Sequence, residues 1–132
     1  MPDKATMGPT GTRVERTYRA EAALTRGRAV IPGTAEDQVK EPATAATGNL
    51  KVLGIVAETV ASGDPVRIVT HGECIMIAGA AVNHGDLLKT TAAAGKAEAT
   101  TTDNDGIFGH AVSDAAADTD EFVGFVDGPS RY

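Results

Sequence analysis

The sequence predicts a mainly β fold, a sandwich or small barrel of about nine short strands, for three reasons. The 132 residues fit one domain. Turn signals recur at intervals of roughly 8–12 residues between short apolar runs, which is the spacing of small all-β domains. No amphipathic pattern extends beyond about two helical turns, so a helical core is disfavoured.

The chain divides into an N-terminal arm, residues 1–12, and a single β domain, residues 13–132. The first twelve residues contain two prolines, two glycines and three threonines and show no hydrophobic period. They predict an extended arm. Two interpretations of this arm stay open: a disordered tail, or a segment that orders when it docks on a partner.

The first half of the β domain combines one ambiguous segment with the strongest strand signal. Residues 13–20 alternate polar and less polar side chains and favour a strand, although their Glu, Arg and Ala content also suits a helix. Gly27 places a turn in the next apolar segment. Residues 34–49 predict a long loop with one short strand, and residues 50–57 form the strongest strand run.

The second half is predicted mainly from its turn residues. His71-Gly72-Glu73 is a three-residue link between two apolar runs and favours a hairpin. Residues 92–95 are a small-residue turn across which the flanking strands can pair, and residues 127–132 predict irregular structure. The strand segments of the whole domain are 13–20, 24–31, 38–41, 50–57, 66–70, 74–78, 86–90, 96–102, 107–112 and 121–126.

An internal echo links two parts of the chain. The segment from Leu53 to Asp64 resembles the segment from Phe108 to Thr119: each has a large apolar residue, then Gly, then an alternating strand, an acidic residue and a small-residue turn. Gly27, Gly63 and Gly85 each open a strand, since glycine permits a positive φ at a tight turn. These features specify where strands start and carry no chemistry.

Composition predicts a thin core and self-association. Ala, Gly and Thr make up 54 residues, and there are only five Phe and Tyr residues and no Trp. Small side chains each bury little area, at about 25 cal/mol per Å². Packing between subunits or on a larger surface compensates for such a core. We therefore expect an oligomer.

Charge and cysteine content exclude several classes of protein. The net charge of −6 disfavours binding to nucleic acid. Residues 1–30 carry six basic and three acidic side chains, whereas residues 98–127 carry eight acidic and no basic ones. The acidic block predicts a solvated face, and the basic part has a possible docking role. Cys74 is the single cysteine, so no intrachain disulfide forms, which suits a reducing cytosol. No apolar run predicts a membrane span or a signal peptide.

The sequence gives little support for a catalytic site or a metal site. His71 and Cys74 could approach across the predicted hairpin, but a turn histidine and a buried strand cysteine explain them as well. His71, His84 and His110 lack the spacing of a compact zinc site. Asp103-Asn104-Asp105-Gly106 is part of a calcium-loop pattern, but Thr101 and Val112 stand where carboxylates are needed. We predict no enzyme, no cofactor and no metal.

The aromatic residues suggest a core and one possible contact. Phe108 and Phe122 are predicted core residues. Phe122 and Phe125 fall on opposite faces of the last strand, because side chains alternate along a strand. One of them is therefore available to another subunit. No aromatic residue interleaves with basic residues as in a nucleic-acid stacking platform.

Over about residues 20–126 the ordered Gly-Asp turns and strands resemble the capsid decoration (cement, or head-stabilising) proteins of tailed bacteriophages. That family has Gly-Asp turns before strands, then a Gly hairpin, a second Ala-rich Gly-Asp turn and a closing pair of strands. The matching pieces are Ala61-Ser62-Gly63-Asp64-Pro65-Val66, Gly72-Glu73-Cys74-Ile75, Ala80-Ala81-Val82-Asn83-His84-Gly85-Asp86-Leu87-Leu88, Ile107-Phe108-Gly109-His110-Ala111 and Glu121-Phe122-Val123-Gly124-Phe125-Val126.

The resemblance implies a compact barrel of the β-tulip kind and a structural protein of the virion. It implies homotrimers on the outer surface of an icosahedral head, assembled in the host cytoplasm, which clamp neighbouring major capsid proteins without nucleic acid or membrane as partner. The expected capsid contacts are Met7, Pro9 and Thr10 in the arm and Arg13, Arg16 and Arg19 beyond it.

Three alternatives to a decoration protein stay open: a head fibre or spike module that recognises a host surface or glycan, an unfamiliar enzyme or ligand binder, and a β assembly protein with another partner.

Overall fold

The computed structural model describes residues 13–42, 52–90, 95–101 and 107–131, with side chains up to residue 127. These residues form nine β-strands and contain no helix, which confirms the predicted mainly β fold. The strands are β1 (Val14–Ala20), β2 (Ala29–Pro32), β3 (Gln38–Lys40), β4 (Gly54–Val56), β5 (Pro65–Ile77), β6 (Leu87–Thr90), β7 (Ala97–Thr100), β8 (Ile107–Ala111) and β9 (Glu121–Arg131).

The first five strands close a small barrel. Their order is β1-β3-β2-β4-β5, and β1 returns to pair with the first half of β5. β1 runs parallel to β3 through Ala20 and Val39, and antiparallel to β5 through pairs such as Arg16 with Ile68. Closure leaves no free edge in this barrel, which removes a template for strand addition.

The second half of β5 begins a second barrel with the same connections. It pairs with β9, and the order continues β9-β8-β6-β7. An isolated parallel bridge between Ala78 and Ala97 closes this barrel, as the parallel pair of Ala20 and Val39 closes the first. The chain is therefore two structural repeats, the first over residues 14–70 and the second over residues 72–126, which share one long strand.

The registers give a residue-by-residue equivalence between the repeats. Ile55 pairs with Val69 in the first repeat, and His110 pairs with Phe125 in the second. Leu24 bridges to Val60, and Val82 bridges to Ala115. Equivalent residues of the two repeats therefore differ in number by 58 in the earlier strands and by 55 or 56 in the later strands. The echo between Leu53–Asp64 and Phe108–Thr119 has this spacing and is confirmed as a structural repeat.

The predicted hairpin at His71-Gly72-Glu73 is wrong. β5 runs through these residues as one strand of 13 residues. Gly72 has a φ of 113°, and a Cβ there would lie 2.9 Å from the Arg13 Cα. The glycine lets the strand pass from one barrel to the next rather than reverse direction.

Two other element predictions change. Residues 127–131, expected to be irregular, continue β9 to Arg131. The predicted strand 50–57 is reduced to Gly54–Val56 within the described residues. β6 and β7 pair with each other as expected. The predicted turn at residues 103–106 and the arm at residues 1–12 lie outside the described residues.

Each barrel has its own interior, and the second core also includes the outer side of the first repeat. The interior of the first barrel contains Ala20, Leu24, Val30, Val39, Val56, Val66 and Ile68. The larger cluster contains their equivalents in the second barrel, including the predicted core residues Phe108 and Phe122, and also four residues of the first repeat: Ala29, Val52, Ile55 and Val69. These four residues define the proximal face. Each is 0% exposed because the second repeat packs over it.

Candidate capsid-contact surface

The three predicted arginines, on β1 and directly before it, have different electrostatic environments. The Arg13 guanidinium donates to the carboxylate of Glu15. Arg19 Nε lies 3.7 Å from Asp37 Oδ2, between side chains that are both more than half exposed. Arg16 is exposed and has no ion pair within the described part of the chain. Of the three, Arg16 is the cation most available to an external partner.

An ion-pair network next to β1 neutralises the neighbouring charges. Arg67 donates to Glu58 at 3.2 Å and lies 3.5 Å from Glu15. The hydrogen bond to Glu58, with the nearby carboxylates, raises the pKa of the Arg67 guanidinium. These groups are partly or fully exposed, so solvent screens each pair and its contribution to stability is small. Their effect is to leave Arg16 as the uncompensated positive charge.

Much of the acidic block holds the turns of the second repeat. Asp120 Oδ2 accepts backbone N–H groups from Ala116 and Ala117, each at 3.1 Å. Asp118 receives the Lys96 ammonium at 3.0 Å. Asp114, Asp118, Glu121 and Asp127 are exposed. Within the block, Asp120 therefore caps a turn, Asp118 forms an ion pair, and the exposed carboxylates reach solvent.

The histidines and the cysteine do not form one site. His71 is exposed, while Cys74 is buried farther along the same strand, and burial raises the pKa of its thiol to about 12. A thiol with so high a pKa is a poor nucleophile. His84 Nδ1 lies 2.9 Å from Asp114, in a turn away from the other two histidines. Among the described residues, no group of three or more His, Cys, Asp or Glu could hold a metal ion.

Phe125 lies at the centre of a row of five side chains on the outer surface. The sequence did not predict this row as a whole. Its ring meets His71 edge-on at 5.2 Å and stacks on His110 at 5.3 Å. His110 in turn pairs with Leu87, and His71 pairs with Val14. Leu87 and Val14, 45% and 47% exposed, are the exposed large hydrophobic residues of the described part of the chain. The row therefore crosses five strands on the outer surface.

Comparisons of the sequence and of the fold relate the chain to known proteins. A sequence model of the phage cement protein matches residues 9–126 of the chain. The chain belongs to the phage cement protein family. Its fold resembles the crystal structure of the head fibre gp8.5 N base of bacteriophage phi29, with a TM-score of 0.65 and 20% identity, over 92% of this chain and 99% of that one. No curated protein gives a significant match.

Family membership establishes a capsid-associated structural role and a place in the virion for this cement protein. In the described residues no helix is long and apolar enough to cross a membrane. Met7, Pro9 and Thr10 lie outside those residues. Arg16 and Arg19 lie on β1 at positions of opposite face, and Arg13 directly precedes the strand. The Phe125 row could be found from the sequence only in part, because alternation along the strand separates Phe125 from Phe122 but does not reveal the histidines beside it.

Proposed function

We propose that this cement protein binds the outer surface of the phage head as a homotrimer and stabilises contacts between neighbouring major capsid proteins. The observation that carries the proposal is the family match, which begins at residue 9, inside the arm, and continues to the end of the second barrel. The protein acts mechanically rather than as an enzyme. Many modest contacts add up because subunits joined in one oligomer bind the shell together.

The capsid contact is assigned to the arm and to the first strand. Met7, Pro9 and Thr10 precede β1 by four to seven residues in the sequence, so a shell surface that binds the arm also comes close to Arg13, Arg16 and Arg19. Arg16 carries the main electrostatic part, since Arg13 and Arg19 are engaged within the chain. Its partner on the major capsid protein is expected to be an acidic surface.

The test is sedimentation with capsids that lack the protein. The wild type should pellet with capsids at a fixed saturating ratio. Arg16→Glu and Met7→Asp should lower the bound fraction at limiting protein. Lys40→Glu, an equal charge reversal on β3 of the same barrel, should bind as the wild type does. A wild-type chain that never pellets with heads would overturn the proposal.

A second candidate function is a base that carries or forms a head fibre, or a module that recognises a host surface or glycan. The likeness to the phi29 head fibre base favours it. Binding of the purified protein to host cells or a glycan array, without any binding to capsids, would support this second candidate over the first.

A further inference from the structure

The repeat relation identifies a surface on the second repeat that corresponds to a buried interface on the first. The proximal face is Ala29, Val52, Ile55 and Val69, and all four are 0% exposed beneath the second repeat. Their equivalents are Leu87, Ile107, His110 and Phe125, which we call the distal face. Leu87 is 45% exposed, and the other three are partly exposed. The second repeat thus exposes a face that is equivalent to the one by which the first repeat packs against it.

The surface that receives the proximal face within the chain is defined by specific contacts. The Gly95 carbonyl accepts the Ala29 N–H at 2.8 Å, and the Gly27 carbonyl accepts the Ile77 N–H at 3.0 Å. Arg26 donates to Glu121 at 2.8 Å. Ile77, Gly95 and Glu121 of the second repeat, with Ile75 beside them, therefore form the receiving surface.

The equivalent receiving surface on the first repeat is an open pocket. Arg19 pairs with Pro65 as Ile77 pairs with Glu121, so these positions correspond. By the same offsets Thr17 corresponds to Ile75, and Asp37 corresponds to Gly95. Thr17, Arg19, Asp37 and Pro65 line a surface pocket of about 210 Å³ together with Tyr18. The first repeat thus exposes a surface that is equivalent to the receiving surface of the second repeat.

We propose that the distal face of one chain docks into this pocket on a second copy of the chain, repeating between subunits the contact made between repeats. The inference deepens the self-association in the proposed function and rests on it. Leu87 takes the place of Ala29 and approaches Asp37, the equivalent of Gly95. A leucine needs more room than an alanine, and the pocket supplies that room where the internal interface is closed.

The proposed contact joins two different surfaces, so it is head-to-tail. Such a contact closes into a ring when the rotation between subunits allows it, whereas a self-complementary contact gives a dimer. Phe125, held between His71 and His110, gives the docking surface a rigid aromatic anchor. A closed trimer requires a head-to-tail contact of this kind.

The first test is native mass. At concentrations approaching millimolar the wild type should be oligomeric, and Leu87→Asp should lose that oligomer and run as a monomer. Ala61→Asp is the matched control, because it adds the same charge at an exposed turn position that lies outside both surfaces. It should keep the oligomer. Unchanged β-sheet circular dichroism in both variants excludes misfolding. An oligomeric Leu87→Asp, or a monomeric wild type, overturns the proposal.

The second test is crosslinking between variants that each gain one exposed cysteine. The native Cys74 is buried and its thiol has a raised pKa, so the wild type serves as the blank. A mixture of Leu87→Cys and Asp37→Cys chains should form a mixed disulfide dimer under mild oxidation. Leu87→Cys mixed with Ala61→Cys, an exposed turn position, should not. A disulfide between two Leu87→Cys chains as the only product, or no disulfide at all, overturns the head-to-tail contact.

Failure of this inference is distinguishable from failure of the proposed function. If Leu87→Asp stays oligomeric and still pellets with capsids, the docking surface is wrong but the cement function stands. If the distal face binds the shell instead of a second copy, Leu87→Asp loses capsid binding while its native mass is unchanged, which also overturns the inference.

Discussion

Gly54 and Gly109 show at single-residue scale what the two barrels have in common. They occupy equivalent positions, on β4 and β8. A Cβ on Gly54 would lie 2.2 Å from the Val69 carbonyl oxygen, and one on Gly109 would lie 1.9 Å from the Phe125 carbonyl oxygen. Both contacts are with backbone, which cannot rotate away. The sequence echo contains these glycines because neither barrel closes around a larger residue.

Gly54→Ala and Gly109→Ala should therefore destabilise the protein by a similar amount, about 3 kcal/mol each, the upper part of the usual cost of overpacking. Thermal unfolding followed by circular dichroism measures this. Gly63→Ala is the control, since a Cβ there meets no atom within 4 Å and only its positive φ of 86° opposes alanine. Its cost should be about 1 kcal/mol. Equal losses at all three positions would contradict the steric explanation.

Cys74 should behave as an inert thiol in the folded protein. Because burial raises its pKa to about 12, it should react with a thiol reagent at pH 8 only after unfolding. The shift also makes stability pH-dependent. Below pH 9 the thiol is protonated in both states and contributes nothing. As pH rises from 9 toward about 12, the unfolded chain releases the proton and the folded chain keeps it, so stability falls by up to about 1.4 kcal/mol per pH unit.

The comparison variant for this effect is Cys74→Ala, which lacks the titrating group. The difference in unfolding free energy between wild type and Cys74→Ala should shift against the wild type above pH 9 and stay constant below it. Urea titrations across this range measure the difference. A constant difference throughout, or rapid labelling of the folded protein, would show that the thiol is accessible.

At the scale of elements, β5 explains both the success and the failure of sequence reasoning. Its two halves are predicted as strands, because residues 66–70 and 74–78 are short apolar runs. The link between them was misread, since a three-residue segment with a central glycine also fits a hairpin. Only the pairing of the first half with β1 and the second half with β9 distinguishes one long strand from two short ones. Such long-range pairing is invisible to local patterns.

The turns beside the isolated bridges Leu24–Val60 and Val82–Ala115, one in each repeat, are capped in the same way. Thr59 Oγ1 accepts the Arg26 N–H at 3.1 Å, and at the equivalent place Asp114 Oδ1 accepts the His84 N–H at 2.7 Å. Asp114→Ala should cost about 1.5 kcal/mol and Thr59→Ala about 0.5–1 kcal/mol, because a hydrogen bond to a charged acceptor is the stronger. Urea midpoints test the order.

Asp118→Ala is the matched control for these caps. Its carboxylate is exposed and makes a surface ion pair with Lys96, so its loss should change stability by about 0.5 kcal/mol or less. A Thr59→Ala loss no larger than the Asp118→Ala loss would mean that the threonine cap contributes nothing measurable.

At the scale of the whole molecule, the two repeats share a fold but differ in net charge. Residues 13–70 carry eight basic and seven acidic side chains, and residues 71–127 carry two basic and ten acidic ones. The sequence predicted this asymmetry and the strand-rich fold from composition and turn spacing. It could not predict the distal face, because Leu87, His110 and Phe125 come from three separate strands and meet only through the register. Nor could it separate Arg16 from Arg13 and Arg19, whose partners depend on side-chain geometry.

The charge asymmetry and the apolar distal face should respond to salt in opposite ways. Raising the ionic strength from about 0.05 M to 0.5 M shortens the Debye length from well above to well below 10 Å and weakens attraction between exposed charges. Capsid attachment through Arg16 should therefore weaken. Association between subunits through Leu87 and Phe125 should persist, because burial of apolar surface is not screened by salt.

Two measurements on the same samples separate these effects: the bound fraction in capsid sedimentation, and the native mass by light scattering. The Arg16→Glu variant should show a flatter salt dependence of binding than the wild type, because the charge that salt screens has been reversed. Its native mass should match the wild type at every salt concentration. If salt dissociates the subunits while capsid binding is unaffected, the two surfaces have been assigned the wrong way round.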